Sequence, residues 1–322
     1  MKKWLILVLI FGPTFLTGCG VQTALLGTQS TYLFTVMDSV ALPAEQVQLK
    51  TQLLAGDFLK PQAGYIVKFY RNGQLFKITQ TDQRGLAQVN FQPTQPGNYH
   101  FTAKVHPVGL SAEPPAPREL VVCCREPDTP IILVDMDKTI VATGFHTVLI
   151  GNPAPMPDSA AVLNDISTEN TLIYLTHRPD YFGPKSKGWL IEHNYPKGPV
   201  LMSTVSTFLK GSKVYKSEMI QTLKEKFHNI RFGIGDKISD GLAYHENSIP
   251  AIVIIQPPPA AAQSELKKLI DALTPLPETT HVVTNWAQID KILAGVDSFP
   301  PSRMIKKLEN LANNAPDNEA GK

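Results

Sequence analysis

An α/β domain built on a parallel sheet, standing behind an all-β sandwich, is the fold class that the 322-residue sequence predicts. Three observations predict it. The apolar runs Ile131–Val134, Leu172–Leu175 and Ile230–Gly235 end abruptly at polar residues, and the first two lack alternation, as strands buried on both faces do. Between the second and third runs, Met219, Ile220, Leu223 and Phe227 recur at helical spacing. Residues 31–125 instead carry a two-residue alternation, and helical stripes vanish from them.

In chain order, Met1-Lys2-Lys3 precedes an apolar stretch from Trp4 to Phe15 and then Leu16-Thr17-Gly18-Cys19. This resembles a bacterial secretion signal with a lipoprotein tetrapeptide. The resemblance implies cleavage after residue 18, lipid on the sulfur of Cys19, and a linker over 19–30. Gly20 in place of an aspartate implies an outer-membrane address in the cell envelope. The apolar stretch is short for a bilayer and is broken by Gly12-Pro13, so a spanning helix is not expected. The 30 basic residues against 28 acidic become 28 against 28 once Lys2 and Lys3 are removed. A neutral chain without charge blocks argues against nucleic acid as a partner and leaves the lipid anchor as the attachment to a membrane.

The sandwich is expected over 31–125. Ala87, Val89 and Phe91 alternate with Gln88, Asn90 and Gln92, and Tyr99, Phe101, Ala103 and Val105 alternate with polar neighbours. Asn72-Gly73 between two apolar-rich runs signals a hairpin, because both residues accept positive φ. Asp82–Gly85 and Pro96-Gly97 mark further turns. Thr81-Asp82, Gly85, Ala87 and Pro96-Gly97 with Tyr99 together resemble bacterial immunoglobulin-like domains. Such modules imply a spacer or binding surface, whose protein partners the sequence does not identify. Val121-Val122-Cys123-Cys124 reads as an apolar strand end; buried thiols are expected there, with a strained vicinal disulfide as the alternative, and no metal-ligand spacing is present.

Glu126–Pro130 forms the junction to the second domain, expected over 131–298. Its first strand ends at Asp135-Met136-Asp137-Lys138-Thr139, its second at Thr176-His177-Arg178-Pro179, and its third at Asp236, with Asp240 four residues on. Ligands of open parallel sheets bind beyond such strand ends. Lys216 precedes the helical stripe, whereas Lys210 and Lys213 lie around Gly211-Ser212, where a loop is expected. Aspartates, threonine, lysine, then aspartates in this order resemble the haloacid dehalogenase superfamily of phosphohydrolases, over Ile131 to about Ile255. The resemblance implies a Rossmann-like sheet, Asp135 as nucleophile, Asp137 as proton donor and acceptor, and Thr139 bracing the loop. It further implies Thr176 and Lys216 on the phosphoryl oxygens. Mg2+ would be held by Asp135, the carbonyl of Asp137 and Asp236, with Asp240 as ligand or support. Met136, Thr139, His177 and Arg178 would line the substrate, although an arginine after a strand is by default a surface ion-pair partner, and histidine there a structural one.

Trp189 in an apolar cluster is expected in the core. Thr176 to Pro179, Gly188-Trp189-Leu190 and Tyr195 to Leu201 with Pro196-Lys197-Gly198-Pro199 resemble, more narrowly, the phosphatidate phosphatases of the lipin and actin-patch-protein type. That implies phosphatidate or a related lipid phosphate as substrate; the alternatives are soluble phosphomonoesters, including nucleotides, or a surface-binding protein with an inactive domain. Lys138, where that subgroup has glycine or aspartate, departs from it. The short segments between the motifs leave no room for a capping domain. Ala251–Ile255 continues the sheet and Pro257–Pro259 ends it. A helical face at Leu266, Leu269, Ile270 and Leu273, a strand at Val282-Val283 and a helix over Trp286–Leu293 complete the domain. Residues 299–322 are expected as a separate amphipathic helix and a disordered tail.

Overall fold

The computed structural model describes residues 32–56, 58–107, 113–144, 147, 151–256 and 262–314. The signal segment with Cys19, Pro257–Pro259 and the last eight residues lie outside them. Among the described residues no helix is long and apolar enough to cross a membrane.

The first unit is a sandwich of two sheets. One pairs β1 (Tyr32–Met37), β3 (Val47–Ala55), β4 (Lys60–Pro61) and β7 (Leu86–Phe91). The other runs β2 (Ser39–Ala41), β9 (Arg118–Cys124), β8 (Gly97–Val105), β5 (Ile66–Arg71), β6 (Gln74–Gln80). The expected alternation is present: Ala87, Val89 and Phe91, then Phe101, Ala103 and Val105, point into one core with Phe34, Leu49 and Phe69. Asn72 and Gly73 join β5 to β6 with φ of 50° and 76°, the left-handed pair that a tight hairpin needs. Cys123 and Cys124 are free, buried thiols, and burial pushes Cys123 up to about 11.

The second unit is a six-stranded, wholly parallel sheet ordered β12 (Val200–Ser203), β11 (Thr171–Pro179), β10 (Ile131–Val134), β13 (Ile230–Gly235), β14 (Ala251–Ile254), β15 (His281–Val283). Numbered within this unit, the strand order is 3-2-1-4-5-6, which reverses direction between β10 and β13. Both faces are covered, which explains the unalternated first run: Ile132 and Val134 face one side, Ile131 and Leu133 the other. On one face pack α1 (Ser159–Ile166), α2 (Gly183–Glu192) and α7 (Trp286–Leu293). On the other pack α4 (Ser212–Lys226), which follows the short α3 (Val205–Lys210), and α5 (Ile238–Glu246). Trp189 is a core residue as expected, its indole N–H donating to the Pro153 carbonyl at 2.8 Å.

Two expectations are corrected. The C-terminal helix α8 (Pro301–Asn314) is not an appendage: Met304, Leu308 and Ala312 pack with Leu266 and Leu273 of α6 (Gln263–Leu273) and with Val282. Its apolar stripe needs a partner, and α6 presents one. Lys213 is not in a loop either; Gly211, at φ 97°, is the break between α3 and α4, and Lys213 stands in the first turn of α4.

Candidate active site

β10 delivers Asp135 to its own carboxyl end, and β13 delivers Asp236 to the neighbouring end, one on each side of the point where the strand order reverses. That is where an open α/β sheet offers a crevice. Asp135 is 3% exposed. Its Oδ1 accepts the N–H of Met136 at 2.8 Å and its Oδ2 accepts Lys216 Nζ at 2.8 Å. Lys216, on the second turn of α4, also donates to Asp240 Oδ2 at 2.7 Å. Of the three candidate lysines it is the one beside Asp135, since Lys210 is exposed and within 3.8 Å of Glu218, and Lys213 is exposed. Burial alone would lower the Lys216 ammonium, but the Asp135 and Asp240 carboxylates outweigh it and hold the charge well above the ordinary lysine range.

Asp135, Asp236 and Asp240 each present an oxygen within 4.8 Å of the others. Gly235 makes this approach possible, because a Cβ there would lie 2.6 Å from Asp240 Oδ2. Burial, then the Asp135 charge, push Asp236 up to about 7, against the opposing charge of Lys237. Burial likewise raises Asp240, with Lys216 opposing. Asp236 Oδ1 is buried without a hydrogen-bond partner. Three carboxylates around one contacting ammonium, with Lys237 further off, still leave an excess of negative charge, and an orphaned oxygen among them fits a hard divalent cation.

The sign of the pH dependence follows. A carboxyl whose folded value is raised contributes stability below about pH 4 that is lost as pH rises through about 7, the value for Asp236. A cation bound by the ionised groups restores that loss. Millimolar Mg2+ should therefore raise the melting temperature by several degrees at pH 8 and by little at pH 5. Asp236→Asn should remove most of the difference; an equal shift in that variant would place the ion elsewhere.

Asp137 stands apart from this cluster. Its two oxygens receive Arg178 Nη2 at 2.7 Å and Nε at 3.1 Å, while Arg178 Nη1 donates to Ser186 Oγ at 3.0 Å. Arg178 is 2% exposed, so the surface ion pair expected by default is corrected to a buried, bidentate one. Nothing in the order of residues announces this partnership or Ser186, because it arises from the adjacency of β10 and β11.

Other expected residues take less direct places. Thr176 is buried, its hydroxyl accepting the N–H of Arg178 at 3.3 Å; β11 runs on to Pro179 through a register shift, so Thr176 is not its last residue. His177 stacks on Phe208 at 4.7 Å; burial, then the charges of Lys237 and Lys216, lower it. Met136 and Thr139 are fully buried. Met136 lies in the core, and its carbonyl gathers the N–H groups of Thr139, Ile140 and Val141 at 3.2, 3.0 and 2.9 Å. Thr139 is fully buried and braces the loop through its carbonyl, which accepts Trp286 Nε1 at 2.8 Å. Lys138 holds φ 57°, a conformation natural to glycine.

No curated protein matches this chain. Solved structures similar to it include the fibronectin(III)-like modules of Clostridium thermocellum CbhA, at 11% identity and a TM-score of 0.21, covering 29% of this chain and 95% of that chain. The CARDB domain of a Pyrococcus furiosus protein is similar at 16% identity and a TM-score of 0.23, covering 31% of this chain and 91% of its own. The titin M3 domain is similar at 8% identity and a TM-score of 0.22, covering 30% of this chain and 97% of its own. Residues 132–254, which carry the whole constellation built around Asp135, match the family model for the LNS2 domain of PITM 1-3, and this segment is thus similar to lipin-like domains of the phosphatase type.

Proposed function

We propose that the chain is a Mg2+-dependent phosphomonoester hydrolase with Asp135 as nucleophile, acting on phosphatidate or a related lipid phosphate. The observation that carries this reading is the Asp135 carboxylate itself: buried at the end of the central strand, fixed by the Met136 N–H and by Lys216, and next to Asp236 and Asp240. A phosphate monoester is protected by its own negative oxygens, so its hydrolysis needs a positioned nucleophile among positive charges. Asp135 would attack phosphorus to give an aspartyl-phosphate, which water then hydrolyses. Lys216, and Thr176 on β11, would neutralise and orient the transferring oxygens. Asp137 would give a proton to the leaving alcohol and take one from water, which requires Arg178 to release at least one of its oxygens.

Asp135, Asp236, the Asp137 carbonyl and Asp240 would hold Mg2+, which when bound shields the carboxylates from the phosphate. The lipid substrate rests on the similarity of 132–254 to lipin-like domains. We place the chain in the bacterial envelope on a lipidated Cys19, facing a membrane that presents such a substrate.

Phosphate release from dispersed phosphatidate and from a panel of soluble monoesters, with Mg2+ and with chelator, tests the reading. Chelator-sensitive release from phosphatidate is expected. Release only from soluble esters would move the substrate to that class, and no release from any ester would leave the alternative of a binding protein.

A further inference from the structure

The sandwich and the α/β unit enclose a cleft of about 710 Å3 where the edge strands β1 and β12 approach each other. Val36, Val40 and Val47 line it from the sandwich, and Val200, Met202 and Met219 from the α/β unit. Its walls are tied together. The Asp38 carboxylate accepts Lys187 Nζ at 2.6 Å, the Val121 N–H at 2.8 Å and the Val200 N–H at 2.9 Å. Lys226 pairs with Glu45, and Leu33 and Leu54 pack on Tyr181 and Phe182.

Two polar side chains on the α/β wall are left without partners. Asp180, immediately after β11, is 3% exposed, and neither of its carboxylate oxygens is hydrogen-bonded. Tyr215, on α4, is 4% exposed with an unpartnered hydroxyl. Burying such groups without partners costs several kcal/mol for a charge and about 1–3 kcal/mol for a hydroxyl, so native folds keep them where something else satisfies them. Burial pushes Asp180 up to about 6, opposed by the backbone N–H groups of Tyr181 and of Asp180 itself, which approach the carboxylate without reaching hydrogen-bond geometry. The lysines on the same cleft do not fill the gap, for Lys187 and Lys226 are committed to Asp38 and Glu45, and Lys50 stands on the opposite, sandwich side. A positively charged hydrogen-bond donor is what the base of the cleft lacks, and its walls suit an apolar body. The volume is that of a small-molecule site.

We propose that this cleft is a second binding site, distinct from the Asp135 cluster, for a small organic ammonium compound, with the ammonium on Asp180 and the Tyr215 hydroxyl and the apolar body between the valine and methionine walls. The two units build it jointly, so neither would bind alone.

Calorimetric titration of the full chain with n-octylammonium, and with octanoate as an anion of the same length, tests it. Saturable one-to-one binding of octylammonium and none of octanoate is expected. Asp180→Asn should weaken it at least tenfold and Tyr215→Phe severalfold, with melting temperatures no lower than that of the parent, since the first removes an unpaired buried charge and the second an unpartnered hydroxyl. Met219→Trp, which fills the cleft from α4, should abolish binding and guards against a folding failure of the first two. Asp135→Asn should bind as the parent does; loss there would put the ammonium in the catalytic carboxylates and overturn the proposal. Unchanged affinity in Asp180→Asn, equal binding of octanoate, or no saturable heat, meaning a cleft that holds water only, would overturn it too. None of these outcomes depends on whether the chain hydrolyses any ester.

Discussion

Asp135→Asn is expected to reduce phosphate release by at least about a thousandfold while leaving the fold intact. The amide keeps one oxygen to accept the Met136 N–H, a contact of 2.8 Å in the parent, and Lys216 keeps Asp240. What disappears is the charged oxygen that attacks phosphorus in the proposed reaction, and an amide cannot replace it. Near-UV dichroism should match the parent, because the buried lysine is still paired with Asp240. Single-turnover release from the best ester found for the parent is the measurement. A variant that retains a tenth of the parent rate would remove the nucleophile from Asp135, whatever the substrate.

Lys216→Ala should have the largest effect on stability. Lys216 is 1% exposed and donates to two carboxylates that are buried as deeply, and breaking a buried ion network by removing one partner costs about 3–5 kcal/mol. The pH dependence has a definite sign. A lysine held above its ordinary value supplies stability that is fully present below that ordinary value, so the parent benefits across the neutral range. Without the ammonium, Asp135, Asp236 and Asp240 face one another, and the deficit should be greatest near pH 8 and shrink toward pH 5 as Asp236 and Asp240 take up protons. Urea unfolding at the two pH values checks this. The rate should fall at least about a hundredfold, measured where the variant is folded. Lys213→Ala, exposed in the first turn of α4, should change stability by no more than about 0.5 kcal/mol. A loss of rate in Lys213→Ala equal to that in Lys216→Ala would reassign the cation.

The chain order alone determined much of the frame. Period is local information, so the two-residue alternation of β7 and β8, the left-handed pair Asn72-Gly73 and the apolar runs of β10 and β13 could each be read where they stand. The same locality put Asp135 and Asp236 at strand ends and Lys216 ahead of an apolar stripe. The helical stripe of α8 was also legible, but not what it packs against.

Tertiary structure decided which charges meet. Arg178 and Asp137 lie 41 residues apart in the chain and pair only because β11 is hydrogen-bonded beside β10. Lys216 reaches both Asp135 and Asp240 because α4 packs against β11 and α5 on one face of the sheet, and Gly235 lets Asp240 come close. The interdomain cleft, with Asp180 and Tyr215 left unpartnered, is further still from local pattern: it exists because two separately legible units were brought together by Asp38, Lys187, Glu45 and Lys226. Burial and partnership depend on what packs from a distance, and spacing along the chain carries no record of either.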